Sequence, residues 1–286
     1  MEKRLIFVGA HPDDESFGLG GTLAKYALEG AQVAYACATR GEVGSADPEH
    51  LKGYASPGDM RWAELMNAAK ALGLSDVIHL GYRDSGMPGS PDNAHPEAHV
   101  AAPLEEVTGR VVKVLREFKP QVVITFDPIG GYRHPDHIHI HNATVRAFHA
   151  AGDPAQFPEH GPAYAPQKLY FTVFSKRLLK FFVALAPLVG QDPRRFGRNK
   201  DIDVTQLMEE FPLHAHIRIA GEALARREAA SAAHKSQLGG GPPMRGLLGF
   251  ALRLMGTTDS YMRAHPPVLN GARVHETDLF EGVING

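Results

Sequence analysis

The sequence predicts an α/β protein: a doubly wound, mostly parallel sheet with helices on both faces. Two observations carry that prediction. Short apolar runs alternate with segments of helical periodicity in the order β-α-β-α-β-α-β-α-β, as parallel strands joined by crossover helices do. Two polar clusters, Ala10-His11-Pro12-Asp13-Asp14-Glu15 and His134-Pro135-Asp136-His137, come after the first and fourth of those runs. In the common strand order 3-2-1-4-5 these two strands are neighbours, and the crevice at their carboxyl ends is where such sheets bind ligands.

Each element has its own warrant. Residues 3–9 contain Leu5-Ile6-Phe7-Val8 and form the first strand. Gly18-Leu19-Gly20-Gly21 leads into a helix reaching Glu29, which Gly30 stops, and Gln32–Thr39 is the second strand. Arg40–Pro57 is a polar loop before a helix over Asp59–Leu72, which Gly73 ends. Asp76–Leu80 is a third strand, followed by a long irregular loop from Gly81 to His99; loops of that length are usually functional or disordered. A helix over Pro103–Phe118 turns Val107, Val111, Val114 and Leu115 inward, and Gln121–Phe126 is the fourth strand. A helix from Pro135 to about Gly152 and a fifth strand over Lys168–Ser175 complete a Rossmann-like core over residues 1–175. Residues 176–286 read as an elaboration of the same single domain, with a helix over Ala220–Gln237.

Composition narrows the function classes. The chain has 286 residues, 43% hydrophobic and 22% charged, with a formal charge of −2, so it is globular and carries no basic surplus for nucleic acid. Cys37 is the single cysteine, which excludes a disulfide framework and a cysteine zinc site. The apolar stretch before His11 is too short for a signal peptide, and no run is long enough to span a membrane. A cytoplasmic protein is the expectation. Gly18-Leu19-Gly20-Gly21 lacks the third glycine of a dinucleotide fingerprint, and there is neither a P-loop nor a Gly-x-Ser-x-Gly elbow.

The two polar clusters point to metal chemistry. Carboxylates crowded at the tip of a buried strand repel one another and lose hydration, and a divalent cation compensates both. His11, Asp14 and His137 offer two imidazoles and one carboxylate, a set that leaves a zinc position open for water. Asp13 is placed to act as general base, His134 as acid or oxyanion clamp, and Asp136 as the carboxylate orienting an imidazole. Read apart, each cluster has an ordinary explanation, since Asp-Asp after a strand can cap a helix and the chain has 16 histidines. His139, His141 and His149 read as packing or surface positions of the helix.

Ala10-His11-Pro12-Asp13-Asp14-Glu15 together with Gly130-Gly131-Tyr132-Arg133-His134-Pro135-Asp136-His137 resembles the zinc-dependent N-deacetylases of the PIG-L/LmbE-like family. The likeness is strongest to its mycothiol-pathway branch, which holds an N-acetylglucosaminyl-inositol deacetylase and a thiol S-conjugate amidase. It implies removal of the acetyl group from an N-acetylglucosamine conjugate of the inositol or malate type. It also implies zinc, or iron(II), on His11, Asp14 and His137, with Asp13 as base. His134, with Asp136 behind it, would stabilise the tetrahedral intermediate or protonate the leaving amine. Tyr132 matches a mobile tyrosine that reaches the reacting carbonyl, and Arg61 and Asp84 match positions that hold the sugar or its aglycone.

Ala233-His234-Lys235-Ser236-Gln237 resembles a further family stretch on a late helix, whereas 176–200 and 239–258 depart from the family pattern. Within 178–190 the apolar, basic-flanked run is compatible with peripheral membrane contact, although packing on the sheet or on another subunit is the simpler reading. The rival expectations are an amidase for a bulkier thiol conjugate and a non-catalytic sugar-binding relative.

Overall fold

The computed structural model describes residues 2–173, 183–184, 186, 192–195, 205, 209–238, 257–269 and 272–284. Among them seven strands form one sheet in the order β3-β2-β1-β4-β5-β7-β6. β1 (Arg4–Gly9), β2 (Gln32–Cys37), β3 (Asp76–His79), β4 (Val122–Phe126) and β5 (Lys168–Thr172) run parallel. β6 (Ala215–Arg218) and β7 (Thr258–His265) are antiparallel to each other, and β7 is antiparallel to β5. The predicted 3-2-1-4-5 order is the order of the first five strands.

The register explains the apolar runs. Leu5, Ile6 and Phe7 pair with Val33, Ala34 and Tyr35 on one side and with Val122, Val123 and Ile124 on the other. All nine residues are fully buried, and a strand covered on both faces has no reason to alternate with polar residues.

The helices are α1 (Asp14–Phe17), α2 (Gly20–Leu28), α3 (Pro57–Leu72), α4 (Leu104–Phe118), α5 (Pro135–Ala150) and α6 (Gly221–Ala233). α3 starts two residues before the expected Asp59, because Ser56 Oγ accepts the Asp59 N–H at 3.1 Å and Pro57 takes the first position. α4 buries Val107, Val111, Val114 and Leu115 as its periodicity predicts. α6 stops at Ala233, short of the expected Gln237.

Neither β6 nor β7 was expected from the sequence. They carry the C-terminal region onto the free edge of β5, where Glu276 accepts from Lys168 Nζ at 2.8 Å, Tyr170 OH at 2.6 Å and an Arg263 guanidinium nitrogen at 2.6 Å. Most of 176–200, including most of the 178–190 run, and all of 239–256 lie outside the described residues. No helix among the described residues is long and apolar enough to cross a membrane.

Candidate metal and catalytic site

Because β1 and β4 are adjacent, the turns that leave them face each other. Asp14 Oδ2 accepts the N–H groups of Ala10 and His11 at 3.1 and 2.7 Å, which leaves Oδ1 toward His137 Nε2, 3.3 Å away. His137 donates from Nδ1 to the Gly130 carbonyl at 3.1 Å, so its Nε2 carries the lone pair. His11 turns Nε2 to Asp136 Oδ2 at 3.0 Å and Nδ1 to His137 Nε2 at 3.2 Å. His11 Nδ1 and Asp14 Oδ2 are 3.9 Å apart.

Each of these three residues thus spends one polar atom on a partner and turns another inward. An ion bound tetrahedrally at about 2.0–2.1 Å keeps its ligand atoms roughly 3.3 Å apart, close to the 3.2 Å from His11 Nδ1 to His137 Nε2 and the 3.3 Å from His137 Nε2 to Asp14 Oδ1, while the 3.9 Å from His11 Nδ1 is to Asp14 Oδ2. The donor set fits a small divalent cation. Among the described residues the groups whose ligand atoms all lie within 4.8 Å of one another are His11, His134 and His137, and His11, Asp84, His134 and Asp136; Asp14 belongs to neither.

Local structure accounts for these placements. Asp127 Oδ1 accepts from Ile129 and Gly131 N–H at 3.1 and 2.8 Å and shapes the turn after β4. Gly130 stands there at φ 64°, and a Cβ on it would lie 2.7 Å from the His137 Cβ, so only glycine fits. Tyr132 follows on that turn, half-buried, its ring 4.9 Å from that of His137. His134 caps α5, its Nδ1 accepting the Asp136 N–H at 3.2 Å, which leaves the proton of a neutral ring on Nε2.

Three predicted residues have protein partners that the sequence reading did not name. Asp136, fully buried, does not put its carboxylate behind His134; it faces His11 and accepts from Ser85 Oγ and N–H at 2.5 and 3.0 Å. The reason is helical: His134 and Asp136 are two positions apart at the start of α5, which sets them about 200° apart around the axis. Arg61, expected on the sugar, is 5% exposed and donates to Asp13 Oδ2 at 3.2 Å and to the Pro12 and Gly41 carbonyls at 2.7 and 3.2 Å. Asp84, also expected on the sugar, is 4% exposed; its Oδ1 lies 3.4 Å from His11 Nε2 and accepts the Gly86 N–H at 2.8 Å. His141, expected to pack, does so, donating from Nδ1 to the Phe126 carbonyl at 2.8 Å.

Burial sets the electrostatics. It raises the carboxyls of Asp13 and Asp14 to about 6, with Arg61 pulling Asp13 back down and His11 doing the same for Asp14. Burial works against a charged His11, yet Asp84 and Asp136 outweigh it and hold that imidazole well above its usual value. His134 and His137 are pushed well below theirs by burial and by His11.

Sequence reasoning gave no role to Glu15, Ser85 or His99. Ser85 and His99 both approach Asp136, His99 through Nδ1 at 3.4 Å from Oδ1. The only available signal was their position in the stretches around Asp14 and Asp84 and at the end of the long loop.

The chain is similar to known proteins. Residues 6–148 match the PIG-L family, GlcNAc-PI de-N-acetylase. A 1D-myo-inositol 2-acetamido-2-deoxy-alpha-D-glucopyranoside deacetylase of Streptomyces avermitilis is 38% identical, covering 99% of this chain and 98% of its own. The protein of that name from Geodermatophilus obscurus is 41% identical over 82% of this chain and 83% of its own. Among solved structures, the N,N'-diacetylchitobiose deacetylase from Pyrococcus horikoshii shares the fold with a TM-score of 0.61 at 19% identity, covering 91% of this chain and 83% of that one. With half its length matched by the family and nearly all of it aligned to a curated relative, the chain belongs to the PIG-L family.

Proposed function

We propose that this protein is a metal-dependent N-deacetylase that releases acetate from an N-acetylglucosaminyl-inositol conjugate, the substrate class named for its relatives. The observation that carries the reading is the set His11 Nδ1, Asp14 Oδ1 and His137 Nε2, inward-facing and orientated by outer partners, with Asp13 beside it. These three residues would hold the ion, zinc by their donor types and iron(II) as the alternative. When bound there it supplies Lewis acidity and makes a water acidic enough to attack near neutral pH.

The chain's own residues do the rest. A water oxygen adds to the acetyl carbonyl carbon and its proton passes to Asp13, which Arg61 keeps aimed at the site. His134, held neutral with Nε2–H outward, donates to the developing oxyanion or to the nitrogen as the C–N bond breaks. Acetate and a free amine leave. Tyr132, on the turn after Gly131 (φ 70°) and with its ring 4.9 Å from that of His137, would reach the reacting carbonyl. Asp136 acts as a positioning residue behind His11, with Asp84 beside it.

Residues 1–286 are read as one domain, because β6 and β7 extend the same sheet. The test is acetate release by metal-loaded protein on N-acetylglucosamine and its inositol and malate conjugates. Preference for the inositol conjugate, abolished by a chelator, is the expected result. Cleavage only of a bulkier thiol conjugate would replace deacetylase by amidase.

A further inference from the structure

We propose that His234, at the end of α6, is a positioning residue that holds the backbone of Asp13 through Glu15. The inference rests on Asp13 being the base. His234 is fully buried, and its Nε2 lies 2.7 Å from Glu15 Oε1. Glu15 is fully buried too, and its second oxygen, Oε2, accepts the Asp13 N–H at 2.9 Å.

Asp13 needs such a hold. Its backbone stands at φ 119°, a region that non-glycine residues rarely adopt and that persists only where the surroundings over-determine it. Glu15 fixes the N–H of that residue and Arg61 fixes its carboxylate. If Glu15 were freed, the peptide before Asp13 could rotate toward an ordinary φ, and the carboxylate would swing off its line to the site.

The seat of His234 is fixed from the same helix that carries Arg61. Glu64, one turn along α3, accepts from Ser236 N–H at 2.8 Å and from Ser236 Oγ at 2.6 Å. α3 therefore grips Asp13 directly through Arg61 and indirectly through Glu64, the 234–236 turn and Glu15. A buried pair serving only to dock α6 would have no reason to share its carboxylate with the backbone N–H of a strained site residue.

The test uses the full-length, metal-loaded protein with His234→Ala, His234→Asn and His234→Gln. His234→Ala is expected to lower kcat about 20-fold or more while KM stays within about threefold and metal stays bound. His234→Gln, whose amide reaches Glu15 as Nε2 does, is expected within about fivefold of wild type, and His234→Asn, too short to reach, to behave like Ala. In an Asp13→Asn background, His234→Ala should add less than about twofold, because its effect runs through Asp13. Amide exchange over residues 10–16, read without substrate, should quicken about tenfold in His234→Ala and return in His234→Gln.

An unchanged kcat, an equal loss in the Asp13→Asn background, unchanged exchange, or Asn matching Gln would each overturn the proposal. If wild type released no acetate from any conjugate, the deacetylase reading would fall, and the exchange arm would still decide the His234–Glu15–Asp13 link.

Discussion

A lone buried carboxylate and a cluster of them are treated in different ways in this molecule. Glu276, beside β5, has Lys168 at 2.8 Å, Arg263 at 2.6 Å and the Tyr170 hydroxyl at 2.6 Å. Burial would raise its carboxyl, but Lys168, Tyr170 and Arg263 together hold it below its usual value. At the heads of β1 and β4, Asp13, Asp14, Asp84 and Asp136 are packed with three histidines. Arg61 is the permanent cation paired there among the described residues, and it bonds to Asp13. The chain supplies Glu276 with its own counter-ions, whereas the four carboxyls of the other group share Arg61 and the His11 imidazole. A buried carboxylate cluster with that shortfall is one built to receive a cation from outside.

The contrast can be broken or sharpened by substitution. The largest effect is expected at the site: Asp13→Asn, which tolerates the positive φ, should lower kcat about 10²–10⁴-fold with metal content unchanged. Loss of metal instead would make Asp13 a ligand. Next comes Lys168→Met, which strips one counter-ion from Glu276 and should destabilise the fold by about 3 kcal/mol in urea titration with activity retained at 25 °C. The pH dependence follows from the same residue. Because the folded Glu276 carboxyl is depressed, its contribution is complete above the unfolded value of about 4.5 and is lost as pH falls through the lower folded value. Glu276→Gln should remove that part of the acid slope, and a slope identical to wild type would show that Glu276 does not set it.

Smaller effects separate site from scaffold. Asp136→Asn should weaken metal binding about 10–100-fold, with a smaller stability change than Lys168→Met. A stability loss as large as that of Lys168→Met would put Asp136 in the structural class. Ser56→Ala, at the cap of α3, should cost about 1 kcal/mol and leave metal binding untouched.

The parallel half of the fold was legible because its strands are buried on both faces and therefore read as unbroken apolar runs. β6 and β7 were not. Ala215-His216-Ile217-Arg218 is four residues long with alternating burial, and Thr258–His265 carries Asp259, Arg263 and His265 among its apolar positions. Such strands look like loop until a partner is known. At the site, residue types and strand ends suffice to bring His11, Asp14 and His137 together. Which carboxylate backs which imidazole depends on side-chain direction at the first turn of α5, and the sequence carries no signal for that. The contacts of Arg61 were hidden for a related reason: its long side chain runs beneath Gly41, where a Cβ would collide with the guanidinium, and ends on Asp13.

The Glu276 cluster also has a consequence in time. Lys168 is 108 residues ahead of its counter-ion, so at about 5–20 residues per second a ribosome needs roughly 5–20 s to make the intervening chain. During that interval the nascent sheet has β1 to β5 in hand, with a charged lysine on its open edge strand and no acid to cover it. An edge strand bearing a lysine is a poor template for pairing with another chain. The residue that bonds Glu276 in the finished fold is thus of the type that disfavours edge-to-edge pairing while the sheet is half made.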